Sequence, residues 1–493
     1  MFSYSKNMAD RGGLSYEEMQ DASGLFIPEN VRYMVDSMSN YSTNTFRLET
    51  VSASTAKSQN IITVNLPSSC LLDLGSFRMH MDATCSGPAN PAAPVANEVY
   101  AKLPQNAAQS LIQRCEVSLN GIALNQGLNQ FNTAYNLKQL AKGNVPRNSS
   151  VDRAVAGAEI DPLDPTPAAG SAGVEAESLV VQDWIGFLGE HSTRYLATDI
   201  FGQLQVRITC APNSVLVPKV LGVPMGTFLA GAAQVANASN MTYTLDNIYF
   251  TVQSVSLNMA YNRMLRERLE ADSYLPLNYK EYYNFSQGNI STGSQTTRYS
   301  LSSASIDKIY QTQRDSNFQT TGVVALELPN AALGSGAFCS NHFRFRSYNS
   351  WGAGVNQKLA GNFRQRSSYN NISQPQYLQD IMGCLCNVGY GQDKIGMGAD
   401  GTMISSRESF NDGRFVATTV MNHPTRYGVG CKSGADSRGI NSALTYETQG
   451  QVIPAATPID GGAGYSGTAE TFVLAETTAE IRAGVGKDIT VLF

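Results

Sequence analysis

Charge is scarce in this chain. Lys, Arg, Asp and Glu make up 15% of its 493 residues, against about 25% in an average soluble protein. Gly, Ser, Thr and Asn are abundant instead, a balance that suits a β protein with extensive contact surface better than a helical enzyme. The few cations do not cluster: Lys6, Arg11 and Arg32 are scattered along the N-terminal region, and the net charge is −5. Phosphate neutralisation needs grouped Lys and Arg, so no specific nucleic-acid binding is expected beyond what a basic face assembled by folding would supply. Long apolar runs are missing too. None reaches the ~18 residues of a membrane-crossing helix, and the N-terminus lacks the basic-then-apolar layout of a signal peptide. Only four histidines occur, His80, His191, His342 and His423. His80 lies between Met79 and Met81 as a strand residue would, and His191 beside Glu190 has the setting of a solvated loop pair. Eight cysteines fall mostly in apolar strand contexts, which predicts small buried thiols in a reducing compartment. The Asn-x-Ser/Thr sequons at Asn148 and Asn371 are then chance matches in a chain rich in these residues.

What is present centres on Met241–Phe285. Tyr243, Leu245, Ile248, Phe250, Val252 and Val255 recur at close to period two, a strand signal. Tyr261, Met264, Leu265, Arg268 and Leu269 then follow helical spacing, and after Pro276 the chain turns extended and aromatic again. One β unit closes, a short charged helix intervenes, and a second β unit opens. The length fits two large domains. The predicted division is an N-terminal arm 1–42, a first unit 43–258, a helical linker 259–278 and a second unit 279–493.

In the first unit, strands are predicted from Phe46, over Ile61–Leu66, Leu72–Met81 and Leu111–Leu119, and over Leu179–Trp184 and Phe201–Cys210. Asn120-Gly121 sits between alternating runs, the strongest short hairpin signal because both residues tolerate positive φ. Asn129–Lys142 is helical in composition, with Gly143 placed as its stop. In the second unit the predicted strands are Tyr279–Phe285, Arg298–Ile306, Val323–Leu328, Phe343–Tyr348, Arg414–Val420, Ala443–Glu447, Phe472–Leu474 and Ile489–Phe493, with a helix over Gln374–Cys386. Each unit therefore carries a mid-unit helix followed by a long loop. The repeated layout predicts two copies of one sandwich or jelly-roll architecture.

No catalytic constellation emerges. Gly396-Met397-Gly398-Ala399-Asp400-Gly401 matches a dinucleotide fingerprint by letter, but no convincing helix follows it. A P-loop ending at Gly486-Lys487 fails because Ile481 and Asp488 replace required residues. Cys384 and Cys386 lack the spacing of a metal site, and Asp161 and Asp164 alternate with prolines that shape a turn. Catalytic, cofactor-binding and metal sites are all expected to be absent. A multi-sandwich carbohydrate-binding or adhesin protein is the alternative class, weakened by having only Trp184 and Trp351 and few acidic clusters. A jelly-roll glycoside hydrolase needs two carboxylates on one cleft, and sequence does not place Glu327, Asp380 or Glu408 relative to one another.

Taken in order, several phrases resemble the double jelly-roll major capsid proteins of icosahedral double-stranded DNA viruses, in the virophage and Polinton-like virus group. They are Asn44-Thr45-Phe46-Arg47-Leu48, Ile62–Pro67 leading to Leu72-Asp73-Leu74, Asn120-Gly121, the link Tyr261–Leu269 and the closing Lys487–Phe493. Adenovirus hexon and the giant-virus capsid proteins are more distant. The resemblance implies an all-β chain of two consecutive eight-stranded jelly rolls joined by a helical linker. It also implies a non-enzymatic homotrimer, which meets neighbouring capsomers, penton and minor capsid proteins in a virion assembled in the host cytoplasm or nucleus. Loops 86–107, 144–178 and 211–240, with parts of 387–413 and 425–468, become outward towers. Val220, Leu221, Val223, Phe228 and Leu229 become the candidate trimer contact, and Tyr16, Tyr33, Met34 and Met38 mark an arm on the inner surface.

Overall fold

The computed structural model describes residues 42–87, 99–104, 106–125, 128–141, 175–193, 195–221, 241–256, 266–267, 269–290, 294–315, 326–327 and 336–339. It further describes 355–360, 366–369, 396–397, 403–404, 417–421, 434–438, 444–451, 469–484 and 488–493.

The first half runs β1 (Ser42–Glu49), β2 (Ala56–Lys57), β3 (Ile61–Asn65), β4 (Leu71–Ser86), β5 (Val99–Lys102), α1 (Ala107–Ser110), β6 (Ile112–Leu119) and β7 (Ile122–Ala123). It continues with α2 (Phe131–Ala141), β8 (Glu175–Val181), β9 (Tyr195–Ala197), α3 (Thr198–Phe201), β10 (Leu204–Cys210), β11 (Val217–Leu221) and β12 (Thr242–Ser256). The second half runs β13 (Tyr274–Ile290), β14 (Ser294–Leu301), β15 (Ile306–Asp315), β16 (Leu326–Glu327), β17 (Gly336–Cys339), β18 (Val355–Ala360) and β19 (Arg366–Tyr369). It ends with β20 (Gly396–Met397), β21 (Met403–Ile404), β22 (Ala417–Val420), β23 (Leu444–Gln451), β24 (Ala469–Gly484) and β25 (Ile489–Leu492).

Pairing gives each half the same topology. The first half has sheets β1-β12-β4-β8 and β3-β10-β6-β7; the second has β13-β24-β15-β22 and β14-β23-β18-β19. Counting the main strands of either half in order, the sheets are 1-8-3-6 and 2-7-4-5. That is the jelly-roll wrap, in which a long antiparallel ribbon folds over so that its first and last strands pair.

Local sequence explains these elements. Along β4 and β12 the inward residues Phe77, Met79, Met81, Tyr243, Phe250 and Val252 are buried and alternate with polar ones. The alternation slips in β12 between Leu245 and Ile248, and again at Ser254–Val255. At the first of these Asn247 takes a left-handed φ of 51° and the register with β4 shifts, a bulge at a residue type that tolerates this conformation. Phe77 stacks on Phe250 at 5.5 Å and lies against Trp184, whose indole N–H donates to the Phe77 carbonyl at 3.0 Å. Asn120 (φ 49°) and Gly121 (φ 85°) form the predicted tight turn, pairing Leu119 with Ile122. The return strand is only Ile122–Ala123.

Several boundaries differ from the sequence expectation. Phe201 ends a helical turn at Gly202, whose φ is 88°, and the strand begins at Leu204. Trp184 lies beyond the end of β8 as a loop anchor. Arg298–Ile306 is not one strand: β14 stops at Leu301 and β15 starts at Ile306 in the other sheet. β13 begins at Tyr274, ahead of Pro276 and inside the stretch 259–278 expected to be the linker. Proline is tolerated there because β13 is an edge strand with a ladder only to β24. Residues 266–267 and 269–272 of the linker are helical. The helix expected over Gln374–Cys386 and the strand expected over Phe343–Tyr348 lie outside the described residues.

Candidate functional site

The most constructed part of the molecule is the seam between the two sandwiches. β13 presents a sheet edge, and the first sandwich covers it with residues 186–192. The Lys280 amide donates to the Glu190 carbonyl at 2.9 Å, and the Ser192 amide donates to the Asn278 carbonyl at 2.7 Å. The Asn278 amide reaches Ser192 Oγ at 3.0 Å. Side chains on both faces of the edge then enter the first sandwich, since residues three apart on a strand point opposite ways. Tyr279 packs edge-on against Phe187 at 5.4 Å and donates to the Leu124 carbonyl at 3.0 Å. Tyr282, on the other face, donates to Glu190 Oε2 at 2.5 Å.

Around Tyr282 lies a buried ionic network drawn from both halves. Lys138 of α2 reaches Glu190 and the Tyr282 hydroxyl, with its ammonium 4.8 Å from the Tyr282 ring centre. The Lys138 side chain is 6% exposed. An isolated ammonium there would cost several kcal/mol, so the cation depends on its anions. Burial disfavours its charge, but Glu190 and Glu476 outweigh that and raise its pKa above the ordinary lysine range. Burial likewise pushes Glu476 up, yet Lys138, Lys308 and Lys280, with the Tyr310 hydroxyl, hold its carboxyl down at about 2. Burial and the neighbouring Glu190 raise Tyr282 well above the usual phenol range.

One strand layer further in, Lys280 meets Asp307 across the central strand β24. Lys280 Nζ is 2.6 Å from Asp307 Oδ2, 3.0 Å from Thr478 Oγ1 and 3.5 Å from Glu476 Oε1. Asp307 also accepts from Thr478 at 2.5 Å on Oδ2 and from Ser305 at 2.9 Å on Oδ1. The Gly434 amide donates to Ser305 Oγ at 2.9 Å. A Cβ on Gly434 would fall 2.6 Å from Asp307 Oδ1 and 2.3 Å from the Ile306 carbonyl, so the loop approaches closer than any side chain permits.

No family model and no curated protein matches the sequence. Solved structures do match the fold. A chain of the Sputnik virophage, solved by cryo-EM, aligns over 91% of this chain and 88% of its own length, at 13% identity and a TM-score of 0.54. PBCV-1 VP54, fitted into a reconstruction of the virophage Sputnik, aligns over 92% of this chain and 97% of its own at 11% identity and 0.51. A chain of the PBCV-1 virus capsid gives the same coverages, 92% and 97%, at 12% identity and 0.50. This chain is a double jelly roll. The resemblance carried by the local sequence phrases holds at the level of fold.

In this double jelly roll, loop segments from both halves meet in a further sheet. β11 pairs with β5 on one side and with β17 on the other, and β16 extends the sheet beyond β17, in the order β16-β17-β11-β5. Val220 pairs with Val99 and Ala337, and Leu221 with Gly336. Val223, Phe228 and Leu229 lie outside the described residues, as do Tyr16, Tyr33, Met34 and Met38 of the arm.

The other sequence candidates fall apart as sites. Gly396–Met397 pairs antiparallel with Met403–Ile404, a hairpin and not the strand–helix turn of a dinucleotide fold. His80 stacks on Tyr249 at 4.6 Å and meets Thr251 Oγ1 at 3.1 Å. His191 and Glu190 are not a solvated pair. His191 Nδ1 lies 3.1 Å from the Phe187 carbonyl, while the Glu190 carboxylate faces Lys138 and Tyr282. Cys115 and Cys210 are free and buried, Cys85 is buried, and Cys70 is free and half-buried. Burial pushes the Cys115 and Cys210 thiols up to about 12. Among the described residues no cluster of metal-binding side chains occurs, and no helix is long and apolar enough to cross a membrane.

Proposed function

We propose that this protein is the major capsid protein of an icosahedral double-stranded DNA virus, trimerising into pseudo-hexagonal capsomers that tile the shell. The observation that carries the reading is the same eight-strand order written twice in one chain, in a fold shared with a chain of the PBCV-1 virus capsid. A hexagonal net needs six similar edges per building block, and three copies of a two-unit chain supply six units around one axis. The seam supports it further, since sandwiches locked edge to edge give the fixed prism that tiling requires. On this reading 43–258 and the chain from Tyr274 to Phe493 are the two prisms, the residues between joining them, and the arm 1–42, with Tyr16, Tyr33, Met34 and Met38, lines the inner surface.

The stretch from Val220 through Leu221, Val223, Phe228 and Leu229 makes the central trimer contact. Penton and minor capsid proteins are the remaining partners, no substrate is turned over, and the protein resides in the virion. Light scattering on purified protein, with negative-stain imaging of the same fraction, should give trimers of about 160 kDa, three chains of 53.1 kDa, with hexagonal outlines. A monomer that persists at high concentration overturns the proposal. Leu221→Asp combined with Phe228→Asp should shift the mass to monomer while the far-ultraviolet dichroism is kept.

A further inference from the structure

The Lys280 cluster has the parts of a bond-forming site. An amine, the carboxyl it touches and a second carboxyl are buried side by side. Lys280 and Asp307 have side chains 11% and 1% exposed and an N···O separation of 2.6 Å, and Glu476, 6% exposed, lies 3.5 Å from the same amine. The two reacting residues sit on β13 and β15, strands separated by β24, so neither is carried away by local chain motion.

We propose that Lys280 and Asp307 condense spontaneously into an intramolecular isopeptide bond, with Glu476 as the proton carrier.

The chemistry balances without a cofactor. Lys280 Nζ attacks Asp307 Cγ, forming the N–C bond while the Cγ–Oδ2 bond breaks. Two protons leave the ammonium and end on Oδ2, which departs as water; nothing is oxidised or reduced. Proton transfer within the buried pair converts ammonium and carboxylate into amine and carboxylic acid at no change in net charge. Glu476 Oε1 is placed to take a proton from Nζ and return it to the leaving oxygen, and the Tyr310 hydroxyl orients it through Oε2 at 3.2 Å. The Ser305 hydroxyl, 2.9 Å from Oδ1, stabilises the oxygen that becomes the amide carbonyl. Fixed proximity supplies the rest. The product removes one cation and one anion together, so Lys138 and Lys308 still balance Glu190 and Glu476. The other buried pair, Lys138 with Glu190, serves as an internal control. Its carboxylate side chain is 22% exposed and its amine is held by the Tyr282 hydroxyl.

The test is the intact mass of the purified full-length chain under denaturing conditions. One water less than the sequence mass is expected, with tandem spectra of a digest locating a branched peptide that joins the Lys280 and Asp307 segments. Lys280→Arg keeps the charge and should restore the full mass, as should Asp307→Ala. Glu476→Gln should leave folded protein at the full mass. A wild-type chain at full sequence mass overturns the proposal, whatever the variants do. Loss of water in Glu476→Gln at the wild-type rate removes the role given to Glu476. The measurement is independent of whether the chain trimerises.

Discussion

Glu476 shows how a single residue is governed by partners that its own neighbourhood in sequence does not reveal. Its carboxyl is held at about 2, against an ordinary 4.5, chiefly by Lys138 of α2 and Lys308 of β15. A carboxylate whose pKa is depressed by folding adds stability that is complete above its unfolded value and is lost as pH falls through the folded one. The protein should therefore hold its melting temperature down to about pH 4.5 and lose stability progressively from there toward pH 2. Glu476→Gln should flatten that acid limb in pH-dependent thermal melts; an unchanged limb would remove Glu476 from the network. Residue-scale chemistry of this kind was the least legible part of the sequence. Glu190 stands next to His191, which invites a local pairing, but its true partners Lys138 and Tyr282 are 52 and 92 positions away. Only the fold brings them together.

At the scale of elements, legibility followed burial on one face. β3, β4, β6 and β12 bury one face and show the alternation that predicts them. β24 was visible only at Phe472–Leu474, although it spans Ala469–Gly484. It is central in its sheet and its residues 470–479 are buried throughout, with Val473 and Ala475 in one apolar cluster and Phe472 and Leu474 in another. With both faces covered, its Thr, Ala and Glu side chains serve packing and ion pairing, and period two disappears. Turns behave oppositely, because backbone conformation alone selects the residue. A Cβ at Gly121 would meet nothing within 4 Å, so only its φ of 85° penalises substitution. Gly121→Ala should cost about 1–2 kcal/mol in chemical denaturation. A neutral result would mean that the turn relaxes to another type.

Across the whole molecule, duplication was readable from layout, whereas the docking of the two copies was not. Tyr279 and Tyr282 belong to the second sandwich yet sit in one continuous buried cluster with Leu124, Phe131 and Phe187 of the first. A shared core of this kind couples the halves, and unfolding should be a single calorimetric transition with matching calorimetric and van't Hoff enthalpies. Two resolved transitions would show that the seam is a contact between independent domains.

The sheet that joins β5, β11 and β17 has a consequence for divergence among relatives of this protein. Connecting loops normally drift one at a time, each absorbing insertions without regard to the others. Here β11 is hydrogen-bonded on both flanks to segments far away in sequence. A lengthened loop must therefore re-enter at Val99–Lys102, Val217–Leu221 or Gly336–Cys339 in an unchanged register, or drag its partners with it. Variation among relatives should thus arrive as matched changes in the two halves of the chain, and a change in one of these segments carries a footprint in the others.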